Sequence, residues 1–119
     1  MFRTLLATIT AAFFALPALA AELVMVEQHG CPYCELWNDQ ISEVYPKTAE
    51  GKAAPLRRMD IHEDYPADLS FTSVLTFTPT FVLVEDGQEI ARIEGYPGEE
   101  FFWWVLAEML RKNTDFEGS

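Results

Sequence analysis

The chain has 119 residues, of which 50% are hydrophobic and 13% aromatic, and its formal net charge is −11 at pH 7. That length supports one domain with a modest core and excludes two. Because nucleic acids and anionic membrane surfaces attract basic patches, we expect this acidic chain to bind neither, and we predict a soluble monomer.

The first 20 residues have the pattern of a secretory signal peptide. Arg3 precedes an apolar run at 5–16, and the small residues of the triplet at 18–20 are typical of a cleavage site. A membrane anchor needs roughly 18 or more unbroken apolar residues, whereas two threonines and a proline interrupt this segment. The sequence therefore predicts a cleaved signal peptide at 1–20 and a mature domain at 21–119.

Cleavage changes the charge and sets the compartment. Removing Arg3, the one charged residue of the first 20, takes the net charge from −11 to −12. We expect the mature protein to be exported and to be free in the periplasm, a compartment in which disulfides persist.

The first half of the mature chain predicts a strand followed at once by a helix. ELVMVEQ is a short, β-branched apolar run and predicts a buried strand at 23–28. Pro32 suits the first turn of a helix, and Pro46 predicts its end. Apolar residues recur on one face of that helix at Trp37, Ile41, Val44 and Tyr45. The polar stretch KTAEGKAA at 47–54 is predicted to be a loop.

The second half predicts three strands and a final helix. PLRRMDI at 55–61 predicts a strand, and the segment at 62–75 an irregular or short helical connection. TFVLVED and QEIARIEG, joined by Asp86 and Gly87, predict a hairpin whose imperfect alternation indicates a bulge. GEEFFWWVLAEMLRK has acids in its first turn and bases in its last, as the helix dipole favours. The segment from about 113 is expected to be a loose tail.

The predicted order β-α-β-α-β-β-α indicates an α/β fold. A parallel βαβ unit followed by a hairpin and a helix implies a single mixed sheet with helices on both faces. Both cysteines, Cys31 and Cys34, lie where the first strand passes into the first helix.

Three uses of this cysteine pair are open. A disulfide across two intervening residues constrains little unfolded-chain entropy, so a structural staple is disfavoured. A structural zinc site needs about four ligands, and His29 and His62 do not supply the second pair at the usual spacing. Thiol–disulfide exchange remains the favoured interpretation, with no metal and no cofactor other than the redox-active disulfide itself.

The position of each cysteine in the predicted helix indicates its role in thiol–disulfide exchange. At the N-cap of a helix, free backbone N–H groups and the helix dipole favour a thiolate and lower its pKa, so Cys31 is the predicted nucleophile. Cys34 lies three residues before Trp37, which places it on the buried face as the predicted resolving cysteine.

The motif CPYC after a first strand and the stretch TPTFVLVEDGQEIARIEGY resemble the thioredoxin superfamily over residues 22–112. The resemblance implies a thioredoxin-like fold and a cis-proline at Pro79. It further implies that the Thr78 backbone meets the substrate chain, and that Gly95 is a close-approach position beside the site.

The sequence also departs from the family. Pro32-Tyr33 is the dipeptide found in glutaredoxins, and Met25 stands where thioredoxins have a buried aspartate. Glu27 either replaces that carboxylate or is a solvent-side strand residue. His29 either stabilises the Cys31 thiolate or lies in a surface loop. Tyr33 is expected to be exposed and to contact partners.

The resemblance implies an exported thiol–disulfide oxidoreductase. Acidic residues near the pair, Glu27 and Glu35, oppose a thiolate and favour protein-disulfide reduction. Periplasmic thioredoxins of sulfur-oxidation systems or cytochrome c maturation are the most similar subfamilies. They imply a sulfur-carrier protein or an apocytochrome as partner and a membrane thiol transporter as electron donor. A disulfide-forming oxidase or isomerase, and a non-catalytic interaction domain, remain alternatives.

Overall fold

The structure is a computed structural model that describes residues 4–12 and 21–118. Residues 4–12 are exposed and form neither helix nor strand. The predicted cleavage triplet at 18–20 lies outside the described residues, as do 1–3 and 13–17 of the predicted signal peptide. None of the helices in the described ranges has the length and apolar character needed to cross a membrane.

Four strands form one mixed sheet in the order β2-β1-β3-β4. Strand β1 is parallel to β2 and antiparallel to β3, which in turn is antiparallel to β4. The apolar run in β1 suits its central position, where neighbouring strands cover both of its edges. The strands are β1 (Glu22–Glu27), β2 (Leu56–Asp60), β3 (Thr80–Glu85) and β4 (Gln88–Glu94).

The predicted hairpin and its bulge are confirmed. Asp86 and Gly87 connect β3 to β4 with positive φ angles of 52° and 78°, which suit the two-residue turns that twist with the strands. The register passes from Leu83 opposite Ala91 to Val84 opposite Glu89, so it skips one residue of β4.

The helices begin as predicted but follow a different course. Helix α1 (Pro32–Trp37) continues into a π-helical turn, and a 3₁₀ turn at Tyr45–Lys47 precedes α2 (Ala49–Ala53). The predicted loop at 47–54 therefore contains a short helix, whose N-cap Thr48 accepts a hydrogen bond from the backbone N–H of Gly51. The final helix, α3 (Glu99–Asn113), lies where the sequence predicts it.

The π-helical turn explains one wrong prediction of burial. Trp37, Ile41 and Tyr45 are fully buried, whereas Val44 is 42% exposed. The turn at Asn38–Ser42 has more residues per turn than an α-helix. The apolar stripe is therefore rotated, and Val44 leaves the core face.

The two faces of the sheet are covered differently. Alternation places Leu23, Met25 and Phe81 in a core cluster with side chains of α1 and α3. Val24, Val26 and Val82 face the other way and pack against Leu69 and Leu75.

That second face corrects the prediction of helices on both faces, because the segment at 61–79 contains no helix. The backbone of Ser70 bonds on either side of Gln88, at the start of β4, donating to Gly87 O at 2.8 Å and accepting from Glu89 N at 2.9 Å. The backbone N–H and carbonyl of Ser70 are therefore not available for hydrogen bonds within a helix. In this α/β fold the helices lie on one face of the sheet, and an irregular segment covers the other.

An ion pair on β4 holds this irregular segment. Arg92 Nη2 lies 2.6 Å from Glu89 Oε1 and also donates to the carbonyl of Ser73 at 3.0 Å. The Glu89 carboxylate accepts from the backbone N–H of Thr72 at 3.0 Å. Although burial acts to raise the pKa of Glu89, the hydrogen bonds from Arg92 and Thr72 outweigh it and lower the pKa.

We expect Glu89→Gln to lower the free energy of unfolding at pH 7 by about 1–3 kcal/mol, because Arg92 loses the nearer of its two carboxylate partners and keeps only Glu94 at 3.5 Å. The folded pKa of Glu89 lies below the unfolded value of about 4.3, so this contribution is present above about pH 4.3 and is lost as pH falls through the folded pKa. Urea denaturation at pH 7 and pH 3 measures it, with exposed Glu85→Gln as control. A difference between wild type and Glu89→Gln that is equally large at both pH values would contradict the pair's role.

The segment after α3 packs back onto the domain. The Thr114 hydroxyl donates to Leu110 O at 2.6 Å and accepts from the backbone N–H of Phe116. Phe116 packs against the same core cluster as α3. A single aromatic residue near the end of the chain therefore anchors the tail.

Candidate active site

The cysteine pair lies at the junction of β1 and α1. Gly30, with φ +72°, turns the chain out of the strand, and Cys31 is the N-cap of the helix. Cys31 and Cys34 form a disulfide with Cα atoms 5.2 Å apart. The Cys31 sulfur accepts a hydrogen bond from the backbone N–H of Cys34 at 3.2 Å. A developing thiolate at Cys31 thus already has one donor in place.

Burial distinguishes the residues of this motif. Cys31 is 6% exposed and Cys34 is 2% exposed, and both belong to the core cluster that contains Trp37. Tyr33, between them, is 61% exposed. Tyr33 therefore lies at the surface, between two buried sulfurs.

The segment before β3 lies at the same end of the sheet as the disulfide. The Thr78–Pro79 peptide bond is cis, and the carbonyl of Pro79 accepts from the backbone N–H of Gly95 at 2.7 Å. Gln28 Nε2, three residues before Cys31, donates to Thr78 Oγ1 at 2.7 Å. This bond connects the strand that leads into the cysteine motif with the segment that leads into β3.

A shallow cavity of about 220 Å³ opens beside this segment. It is lined by Phe77, Thr78, Glu94 and Gly95. Phe77 is 58% exposed, so the cavity has an apolar rim and one carboxylate. The structure thus brings Thr78, Pro79 and Gly95 together.

Glu27 and His29 lie around a different cavity. It has a volume of about 340 Å³ and polar walls that include Gln28 and Arg58. Glu27 Oε2 lies 2.7 Å from Arg58 Nη1, and His29 is exposed. The Glu27 carboxylate is therefore engaged with a β2 cation and is half-buried.

Arg58 is a residue that sequence reasoning missed. Its Nη1 lies 3.5 Å from the sulfur of Met25, its Nη2 donates to Ser42 Oγ, and its guanidinium lies 5.7 Å from the ring centroid of Trp37. The signal available was the parallel pairing of the first two predicted strands, which places Arg58 opposite Met25. Gln28 was also missed, because a polar residue at a strand end carries no distinct pattern.

A disulfide across two residues at a strand-to-helix junction of this mixed sheet defines a thiol–disulfide redox protein. The chain belongs to the thioredoxin-like family, since the family model described as a thioredoxin-like domain matches residues 20–110. No curated protein matches the chain.

Among solved structures, the chain is similar to the periplasmic thioredoxin SoxS from Paracoccus pantotrophus in its reduced form. The two are 46% identical, with a TM-score of 0.75, over 77% of this chain and 97% of that one. Thioredoxin from Fasciola hepatica is 20% identical with a TM-score of 0.56, over 75% of this chain and 80% of that one. The second likeness supports the fold alone.

Proposed function

We propose that the protein is an exported thiol–disulfide reductase that acts in the periplasm on oxidised cysteines of a partner protein. The observation that carries the proposal is the Cys31–Cys34 pair, with Cys31 as the N-cap of α1 and its sulfur bonded to a backbone N–H. The signal-peptide pattern of residues 1–20 and the likeness to a thioredoxin described as periplasmic support the location.

The reaction follows the general course of thiol–disulfide exchange. The Cys31 thiolate attacks one sulfur of a partner disulfide, forms a mixed disulfide and releases the other sulfur as a thiolate. Cys34, as a thiolate, then attacks the Cys31 sulfur, closes the intrachain disulfide and releases the second partner thiolate. Two electrons pass to the partner. A partner persulfide reacts in the same way and releases hydrosulfide.

We assign a role in this reaction to each of the residues that surround the cysteine pair. The backbone at Thr78 pairs with the partner chain, Pro79 and Gly95 leave room for it, and Tyr33 contacts its surface. Glu27 and His29 tune the acidity of the cysteine pair from the neighbouring cavity. The exposed carboxylate of Glu35 on α1 favours the reducing direction, since its negative charge opposes a stable thiolate, whereas Arg58 offsets the charge of Glu27.

The expected location and the acidic charge of the protein indicate which partners it meets. A sulfur-carrier protein or an apocytochrome would supply the oxidised cysteine, and a membrane thiol transporter would return the electrons. The exposed acidic side chains suit a soluble monomer that binds no nucleic acid. No metal and no further cofactor enter the proposed reaction.

Expression of Cys34→Ser in the native host tests the proposal. The variant keeps the nucleophile but lacks the resolving thiol, so a mixed disulfide with the partner should accumulate on Cys31. Mass spectrometry of dithiothreitol-sensitive adducts identifies that partner. The double variant Cys31→Ser/Cys34→Ser is the control. If no exported protein is trapped on Cys31 in a host that expresses the variant, the reductase proposal is contradicted.

A further inference from the structure

The hydrogen-bonded ladder between β1 and β3 stops one pair short of the active-site loops. Its last pair is Val26 opposite Thr80, and two further residues along the same register would place Gln28 opposite Thr78. Those two residues are joined through their side chains instead, by the 2.7 Å bond from Gln28 Nε2 to Thr78 Oγ1. A side-chain bond thus occupies the place where the ladder would continue.

Because a side-chain bond replaces the backbone bonds of the ladder, the backbone of Thr78 has no hydrogen-bond partner within the part of the chain that the structure describes. Among the hydrogen bonds of residues 21–118, none involves the backbone N–H or carbonyl of Thr78. The neighbouring carbonyls are occupied, since Pro79 O accepts from Gly95 N–H and Phe77 O accepts from the Thr80 hydroxyl. The backbone N–H and carbonyl of Thr78 are therefore free in this part of the chain, while hydrogen bonds hold the carbonyls of the residues on either side.

The amide of Gln28 is itself held. His62 Nε2 lies 2.8 Å from Gln28 Oε1, and because an amide oxygen only accepts, the imidazole N–H donates. The backbone N–H of His62 donates in turn to Asp60 Oδ1 at 2.8 Å. The amide thus bridges the two segments, with its NH₂ group directed at the Thr78 hydroxyl and its oxygen at His62.

We propose that Gln28 is a positioning residue for protein substrates. It fixes Thr78 through the side chain and so keeps the Thr78 backbone free and correctly placed to pair with a partner chain, as an added strand pairs with a sheet edge. The inference rests on the proposed function, in which that backbone meets the substrate. It predicts an effect on protein disulfides and none on small dithiols, which reach the sulfur without pairing with backbone.

The test compares Gln28→Met, Thr78→Val and the double variant in steady-state reduction of insulin. Each single variant removes the bond with little change in volume, so we expect the KM for insulin to rise about five- to tenfold, the usual size of one lost hydrogen bond, with kcat within about twofold. The double variant should show no further rise, because both changes remove the same interaction. Gln88→Met, the same change in an exposed residue at the hairpin turn, is the matched control.

Two further readouts separate this inference from its alternatives. The rate at which dithiothreitol reduces the Cys31–Cys34 disulfide, and the reduction potential of the pair, should equal those of wild type in Gln28→Met. An equal loss with dithiothreitol, or effects of the two single variants that add fully, would overturn the positioning role, as would an unchanged KM in Thr78→Val. Inactivity of the wild type on insulin would instead overturn the proposed function.

Discussion

Replacing Cys31 with serine is expected to reduce insulin reduction to the uncatalysed dithiothreitol background. The reaction begins with a thiolate attack, and a serine hydroxyl at this position is not ionised near neutral pH. Cys31 is the sulfur that accepts a backbone hydrogen bond at the start of α1. Turbidity of the insulin B chain at fixed dithiothreitol concentration measures the rate.

Cys34→Ser is the informative comparison for this variant. It should also lose turnover, but it should form one mixed disulfide per molecule, since Cys31 remains. In the reduced wild-type protein, iodoacetamide should alkylate Cys31 faster than Cys34, which is more deeply buried. Insulin reduction that is equally fast in wild type and Cys31→Ser would favour a non-catalytic binding domain. A potential near −120 mV, the oxidising extreme of about −270 to −120 mV known for this fold, would reverse the proposed direction of electron flow.

The strands and the cysteine motif could be predicted from sequence because their signals are local. The apolar run in β1, the turn at Asp86 and Gly87, and the charged ends of α3 each follow from a few neighbouring residues. The positions of the two cysteines at a strand-to-helix junction follow in the same way. Local patterns therefore sufficed for the fold class and for the centre of the site.

The features that were missed depend on contacts between distant segments. The segment at 61–79 takes the irregular of the two predicted alternatives, and the bonds from Ser70 to Gly87 and Glu89 that attach it to the hairpin were missed. Val44 is exposed because a π-helical turn rotates the apolar stripe. The bonds from Arg58 to Ser42 and from Gln28 to Thr78 cross 16 and 50 residues of sequence. No spacing rule identifies such pairs.

Phe102→Ala is expected to have the largest effect on stability in the domain. Phe102 is fully buried, and its ring centroid lies 4.9 Å from that of Phe81 and 5.9 Å from that of Trp37. It therefore joins α3 to the sheet and to the end of the helix that carries both cysteines. Truncation of a buried phenylalanine costs about 3–5 kcal/mol, a large share of the roughly 5–15 kcal/mol that stabilises a typical domain.

The adjacent residue provides a matched control. Phe101 is 54% exposed, so Phe101→Ala should change the free energy of unfolding by no more than about 0.5 kcal/mol. Urea denaturation of the oxidised proteins at pH 7 measures both variants. Because Phe102 packs on Trp37, the cavity left by Phe102→Ala should also loosen α1 and lower the temperature at which insulin reduction fails. Equal losses in the two variants would contradict the packing of α3, since only one of these neighbouring rings faces the core.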